Sequence, residues 1–119
     1  NNPAAGGIYA DVTDLSRWMR VWLAGGRLPA GADGAERRLF SAAQQTEMWS
    51  MVTPIPLPKA PPALSEARPN FFGYGLGWMI SDFRGRRMVW HTGGWPGQVS
   101  RLTLLPEQNL GVVVVTNQE

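Results

Sequence analysis

The stretch MVWHTGGWPGQVSRLTLLPEQNLGVVVVTN, residues 88–117, gives the clearest indication of the fold. Its three apolar runs, 88–94, 99–106 and 110–117, are separated by the short turn-forming segments WPGQ and EQN. Turns this short join neighbouring antiparallel strands. The stretch therefore predicts an antiparallel meander, in which each strand pairs with the next one along the chain.

A further strand is predicted before these three. Residues 72–83, FGYGLGWMISDF, alternate apolar and small side chains, and the basic segment RGRR, 84–87, forms the hairpin turn that follows. In the last strand the run Val112–Val115 does not alternate. A strand without alternation is typical of burial on both sides, so we expect both faces of this run to be covered.

Two helices are predicted upstream of the strands. Asp11 is a good N-cap, and Gly25 and Gly26 end the first helix, where a left-handed residue is common. The apolar positions between them recur at helical spacing and are Val12, Leu15, Trp18, Met19, Trp22 and Leu23. This periodicity favours core packing as the interpretation of Trp18 and Trp22.

The second helix opens at Ser41, and Gln44 completes a capping box. We expect it to run to about Met51 and to bury Met48, Met51 and Val52. Loops are predicted over residues 1–10, 27–38 and 53–70, and the last of these is a Pro-rich loop with six prolines and no apolar periodicity.

Helices followed by a meander indicate an α+β fold, a layered α/β sandwich fragment in which about four strands pack with two helices. The 119 residues suffice for one domain. The chain begins without Met and stops just after an apolar strand, so we interpret residues 1–119 as a single partial domain, the C-terminal segment of a larger one. We expect such a fragment to expose an apolar sheet face or an edge and to self-associate through it.

Composition argues against several functional classes. A net charge of +2 with 17% charged residues is too weak and scattered to indicate a nucleic-acid partner. The absence of cysteine excludes disulfides, a cysteine nucleophile and thiolate metal sites. A single histidine and no clustered carboxylates give no reason to expect a metal or another cofactor. No apolar run approaches the ~20 residues of a membrane span.

The tetrapeptide His91-Thr92-Gly93-Gly94 is the candidate site. Glycines leave the strand edge open, so a substrate could pair with it as an added strand. The N–H of Gly94 would then face the substrate carbonyl as one donor of an oxyanion hole, while Thr92 and His91 would contact an anionic group. A lone histidine beside two glycines is also typical of a plain hairpin, so the tetrapeptide alone leaves both interpretations open.

A nucleophile is not recognisable in the chain. An activated serine needs a base within hydrogen-bond reach. No serine occurs in G-x-S-x-G or three residues before a lysine, and the only lysine is Lys59.

Four stretches taken in order carry a resemblance: PAAGGIYADVTDLSRWMRVWLAGG, LFSAAQQTEMW, FGYGLGWMI and VWHTGGWPGQVSRLTLLPEQNLGVVVVTN. Together they resemble the C-terminal half of the serine β-lactamase-like and penicillin-binding hydrolases, a family that includes class C β-lactamases, DD-peptidases and esterases. The similarity extends from about Pro3 to Asn117. The ordered set is far more specific than His-Thr-Gly alone.

The resemblance implies that His91-Thr92-Gly93 matches the family's Lys-Thr-Gly or His-Thr-Gly triplet and that Gly94 lends its N–H to the oxyanion hole. The family's nucleophile is the serine of Ser-x-x-Lys, assisted by the tyrosine of Tyr-x-Asn. Neither motif occurs here, since Tyr9 is followed by Ala-Asp and Tyr74 by Gly-Leu. We therefore expect a fragment of a serine acyl hydrolase that is inactive by itself.

The substrate implied by the resemblance is a small acyl compound, namely a β-lactam, an ester or a D-Ala-type peptide. Histidine carries a positive charge only part of the time near neutral pH, which favours the peptidases and esterases slightly over a dedicated β-lactamase. A periplasmic or secreted location is implied by the family alone. The alternative is a non-catalytic binding module or pseudoenzyme segment, in which Trp90 and Trp95 stack on cell-wall sugars or peptides.

Overall fold

The computed structural model describes residues 6–57, 59 and 61–118. The helices are α1, Val12–Leu23, and α2, Ala42–Met48, with short 3-10 helices at Pro62–Ala67 and Pro106–Gln108. The strands are β1, Thr53–Pro54; β2, Phe72–Tyr74; β3, Met79–Phe83; β4, Arg86–Trp95; β5, Gln98–Leu105; and β6, Leu110–Thr116. Residues 1–5 of the predicted first loop, and positions 58 and 60 of the Pro-rich loop, lie outside the described residues.

The strands form one antiparallel sheet in the order of the chain. This confirms the α+β class and the meander, although the sheet has six strands rather than about four. The prediction of a single strand over 72–83 is wrong. The chain reverses between Gly75 and Trp78, where Gly77 has a φ of +80°, a region that glycine adopts without strain.

The first helix begins and ends as predicted. The Asp11 carboxylate accepts the backbone N–H three residues on at 2.9 Å, and Gly25 and Gly26 have φ values of +67° and +85° just after the helix. The helix packs against β6 at Gly111, where an added Cβ would lie 2.9 Å from the Met19 sulfur. This glycine therefore sets how closely α1 approaches the sheet.

The capping box of Ser41 and Gln44 is present at the start of α2. The predicted end of this helix is wrong, because it stops at Met48 and leaves Met51 and Val52 exposed. The chain leaves the helix there to pair with the sheet, and the N–H of Val52 donates to a β2 carbonyl at 2.9 Å. No helix in the described ranges is long and apolar enough to cross a membrane.

An aromatic cluster joins the helices to the sheet. The ring of Trp22 stacks on Trp49 with 5.5 Å between centroids and meets Trp78 edge-on at 4.8 Å. The buried side chains packed with this cluster are Met19, Ile80, Val89 and Leu104. Core packing is thus confirmed for Trp22, whereas Trp18 is 38% exposed and contacts the cluster only at its margin.

The sheet face opposite α1 is apolar and exposed. Leu110, Val112 and Val114 alternate with inward-facing residues of β6 and are between 47% and 52% exposed. The expectation that both faces of this strand are covered is therefore wrong, because no described helix packs on this side. A depression of about 310 Å³ lies on the same face, between Phe83 and Met88. Self-association through this face stays a prediction.

A buried carboxylate holds the C-terminal end of the Pro-rich loop against the sheet. Asp82 on β3 accepts the backbone and side-chain N–H groups of Asn70 at 2.6 and 2.8 Å, and the N–H of Gly85 at 2.9 Å. Burial by itself would raise the pKa of this carboxyl, but the hydrogen bonds outweigh it and hold the pKa below its usual value. The ionised group therefore stabilises the fold above its unfolded-state pKa, and this contribution is lost as the pH falls through the folded-state pKa.

We expect Asp82→Asn to lower the free energy of unfolding at neutral pH by about 1–3 kcal/mol, because the amide replaces one accepting oxygen by a donor. The variant should also lose less stability than the unchanged protein when the pH falls below about 4. Thermal melts at neutral and acidic pH measure both effects. Glu66→Gln is the control, since this side chain is 88% exposed and lies 3.7 Å from Arg84. An unchanged acid dependence in Asp82→Asn would contradict this role.

Candidate active site

The site follows from a difference in length between two neighbouring strands. β4 has ten residues and β3 has five. Pairing of β3 with β4 stops at Met79↔Trp90, whereas pairing of β4 with β5 continues to Trp95↔Gln98. Within the part of the chain that the structure describes, residues 91–95 therefore have a strand partner on one side only. Their unpaired side is called the open edge below.

The register decides which backbone groups face the open edge. Both hairpins that flank β4 have two-residue loops, and the residues on either side of such a loop form a hydrogen-bonded pair. The N–H of Trp95 therefore faces β5. Because successive residues alternate, the N–H groups of His91 and Gly93 also face β5. Those of Thr92 and Gly94 face the open edge.

The two glycines of this segment have different surroundings. A Cβ on Gly93 would lie 2.6 Å from the hydroxyl oxygen of Ser100, so the strand pair is closely packed at this position. A Cβ on Gly94 would meet no described atom within 4 Å. The space around Gly94 is therefore open to an approaching ligand.

The imidazole of His91 is exposed and has a partner that the sequence analysis did not identify. Its Nε2 lies 3.3 Å from the hydroxyl oxygen of Tyr74 on β2. In the sequence Tyr74 does not form a Tyr-x-Asn motif, because Gly75 and Leu76 follow it. No local pattern signals this contact, because it joins residues 17 positions apart on strands that are not neighbours.

Thr92 shares its sheet face with a permanent positive charge. It is paired with Arg101 on β5, and directly opposed residues of an antiparallel pair lie on the same face. The guanidinium carbon of Arg101 lies 4.2 Å from the ring centroid of Trp90, and its Nε donates to Thr103 at 3.3 Å. No sequence pattern indicates a role for this arginine, since only the register shows that it faces Thr92.

The two tryptophans beside the glycines are in different environments. Trp95 is 67% exposed at the end of the open edge. Trp90 is half-buried and lies parallel to Phe72 with 6.1 Å between ring centroids. Trp95 is therefore available to a ligand, whereas Trp90 is held in a stack.

Among the described residues, no serine hydroxyl is hydrogen-bonded to a histidine, lysine or carboxylate side chain. The hydroxyls of Ser16 and Ser50 donate to carbonyls one helical turn back, and Ser41 caps α2. Among the hydrogen bonds of the described residues, none joins a serine hydroxyl to His91. Over the same residues, no group of three or more His, Asp or Glu side chains could hold a metal ion. The site thus provides an edge, a backbone donor and polar side chains.

Comparison with known protein families matches the chain to the Beta-lactamase family over residues 1–119. Among curated proteins, the chain is 27% identical over 118 residues to the D-alanyl-D-alanine-carboxypeptidase/endopeptidase AmpH of Escherichia coli strain K12 and, to the same degree, to that of Escherichia coli O157:H7. Each match covers 96% of this chain and 27% of the relative, so the chain spans about a quarter of these relatives' length. No solved structure gives a significant match.

We expect Gly93→Pro to destabilise the protein by about 1–3 kcal/mol more than Gly94→Pro. Proline removes an N–H, and the register directs that of Gly93 into the β4–β5 ladder but that of Gly94 to the open edge. Chemical denaturation of the two variants measures the difference. Gly93→Ala and Gly94→Ala control for the added side chain, because both keep the N–H; a Cβ at Gly94 has room, whereas one at Gly93 would lie 2.6 Å from the Ser100 hydroxyl oxygen. A larger loss in Gly94→Pro would contradict the orientation derived from the register.

Proposed function

Because the chain belongs to the Beta-lactamase family, we propose that it is the part of a serine acyl hydrolase that carries the substrate-binding edge strand and one oxyanion-hole donor. Because these 119 residues contain no Ser-x-x-Lys motif, the proposal assigns the nucleophilic serine to another part of a longer protein. The observation that carries the proposal is the open edge over residues 91–95, to which the register directs the N–H of Gly94.

In the proposed reaction the acyl group lies along the open edge as an added strand. The serine Oγ bonds to the carbonyl carbon, and the N–H of Gly94 donates to the carbonyl oxygen as negative charge develops on it. A base in the longer protein takes the serine hydroxyl proton during the attack. As the intermediate collapses, the bond to the leaving group breaks and this proton passes to the leaving amine or alcohol. Water hydrolyses the resulting acyl-enzyme and releases the acid.

The remaining residues of the strand bind the substrate. Thr92 and His91 contact an anionic or polar group, Gly93 allows the close approach of the two strands, and Trp95 lies against the substrate at the end of the edge. The permanent charge of Arg101 on the Thr92 face supports a carboxylate-bearing substrate.

The substrate class is an ester, a β-lactam or a D-alanine-type peptide. The curated relatives are named as D-alanyl-D-alanine-carboxypeptidase/endopeptidases, which supports the peptide among these three. The exposed indole of Trp95 is suited to packing against such a small substrate.

We expect this chain to keep its intact mass after incubation with a fluorophosphonate and, separately, with a penicillin. The reason is that it contains no Ser-x-x-Lys motif, and the described serine hydroxyls are not paired with a base. Intact-mass spectrometry makes the measurement, with a complete serine β-lactamase labelled in parallel as the positive control. A stoichiometric adduct that maps to one serine would overturn the assignment of the nucleophile to another part of the protein.

In the longer protein that the proposal requires, Gly94→Pro should slow acylation by about 10²–10³-fold, the usual cost of removing one oxyanion-hole donor. Gly94→Ala keeps the N–H and should retain a much larger share of the rate. Rapid-mixing measurement of acyl-enzyme formation compares the two variants at equal folded fractions. Equal acylation rates in both variants would show that the N–H of Gly94 is not the donor.

A further inference from the structure

The backbone at Tyr74 is paired with a neighbouring strand on each side. It pairs with β1 at Thr53 and with β3 at Met79. The glycines on either side of it permit this close packing, since added Cβ atoms on Gly73 and Gly75 would lie 2.7 and 2.8 Å from backbone oxygens of residues 53 and 50. The half-buried phenol ring is therefore attached to a backbone segment that is held in place on both sides.

The imidazole of His91 has far less support. It is exposed and stands where β3 no longer accompanies β4. Its Nε2 lies 3.3 Å from the phenol oxygen of Tyr74, with 6.3 Å between the ring centroids. Among the described residues, Nδ1 has no hydrogen-bond partner. Tyr74 is therefore the group that can fix the orientation of this ring.

The hydrogen bond between the two side chains has a favoured direction. A neutral imidazole has one N–H and one nitrogen with a free lone pair, and a phenol hydroxyl can both donate and accept. Resonance withdraws electron density from the phenol oxygen, which makes it a better donor than acceptor. The favoured bond runs from the Tyr74 O–H to Nε2, so the ring proton is carried by Nδ1.

We infer that Tyr74 is a positioning residue that holds the neutral form of His91 in its Nδ1–H tautomer, so that Nδ1–H is the ring donor left for a ligand. The inference rests on the proposed function, in which His91 contacts the substrate. Its chemical consequence is that the neutral imidazole keeps one N–H donor, on Nδ1. A neutral donor binds an ester or amide oxygen as well as a carboxylate, so the site is not restricted to anionic acyl substrates.

Nitrogen-15 NMR of the imidazole tests the inference directly, because His91 is the only histidine of this sequence. Long-range proton–nitrogen spectra are recorded at alkaline pH, where imidazole side chains are neutral. The signals that disappear in His91→Gln identify the ring. We expect a protonated Nδ1 and an unprotonated Nε2 in the unchanged protein. In Tyr74→Phe, which keeps the aromatic ring but loses the hydroxyl, we expect the Nε2–H tautomer that free histidine favours to become the major form.

Tyr9→Phe is the matched control, since Tyr9 is the only other tyrosine and is 96% exposed. It should leave both nitrogen signals unchanged. A major Nε2–H tautomer in the unchanged protein overturns the inference, even if Tyr74→Phe does not fold. Unchanged signals in a folded Tyr74→Phe protein also overturn it. The measurement needs no substrate and no turnover, so its failure is distinguishable from a failure of the proposed hydrolase function, which the labelling and acylation experiments report.

Discussion

The candidate site depends on the greater length of β4, which extends beyond the end of its neighbour β3. Over its first half β4 is paired on both sides, and over residues 91–95 it is paired only with β5. An unpaired strand edge exposes backbone donors and acceptors that need partners, which is usually a liability for a folded protein. Here the exposed stretch is short and carries two adjacent glycines, so another extended molecule can approach its backbone closely. The same geometry that leaves hydrogen bonds unmade within the chain makes them available to a ligand.

The two halves of β4 are supported very differently. Val89, in the doubly paired half, is fully buried under the cluster formed by Trp22, Trp49 and Trp78. Beyond Trp90 the strand emerges from this core, and His91 and the residues after it are exposed. The aromatic cluster therefore acts at a distance from the open edge, by packing against the half of β4 that is paired on both sides. In this arrangement the position of the open edge depends on packing that lies away from it.

Features controlled by neighbouring residues were predictable from the sequence, and features controlled by distant contacts were not. The N-caps at Asp11 and Ser41 and the hairpins around β4 follow from local side-chain and turn chemistry. The reversal after Gly75 was missed, because alternating glycines in a strand and glycines at a turn give the same pattern. The exposure of Val112 was missed as well, since four consecutive valines indicate a strand but not which neighbours it has.

The candidate site, too, has parts that the sequence predicts and parts that depend on distant contacts. The segment 91–94 is conspicuous in the sequence because its residue types are unusual together. The contributions of Tyr74 and Arg101 depend on strand order and register, and no spacing along the chain encodes them. The direction of the Gly94 N–H is also not encoded by spacing along the chain, since it follows only once the pairings at both ends of β4 are known.

The anchoring of the Pro-rich loop has a consequence for how such a protein can diversify. One stem of the loop is paired with β2 at Thr53, and the other is fastened at Asn70 by Asp82. Lengthening a loop between two fixed ends costs little, on the order of 0.6 kcal/mol for each doubling of its length. Mutation can therefore insert, delete or exchange residues between these stems while the sheet and the open edge keep their register. New surface chemistry can arise there in evolution without a compensating change in the core.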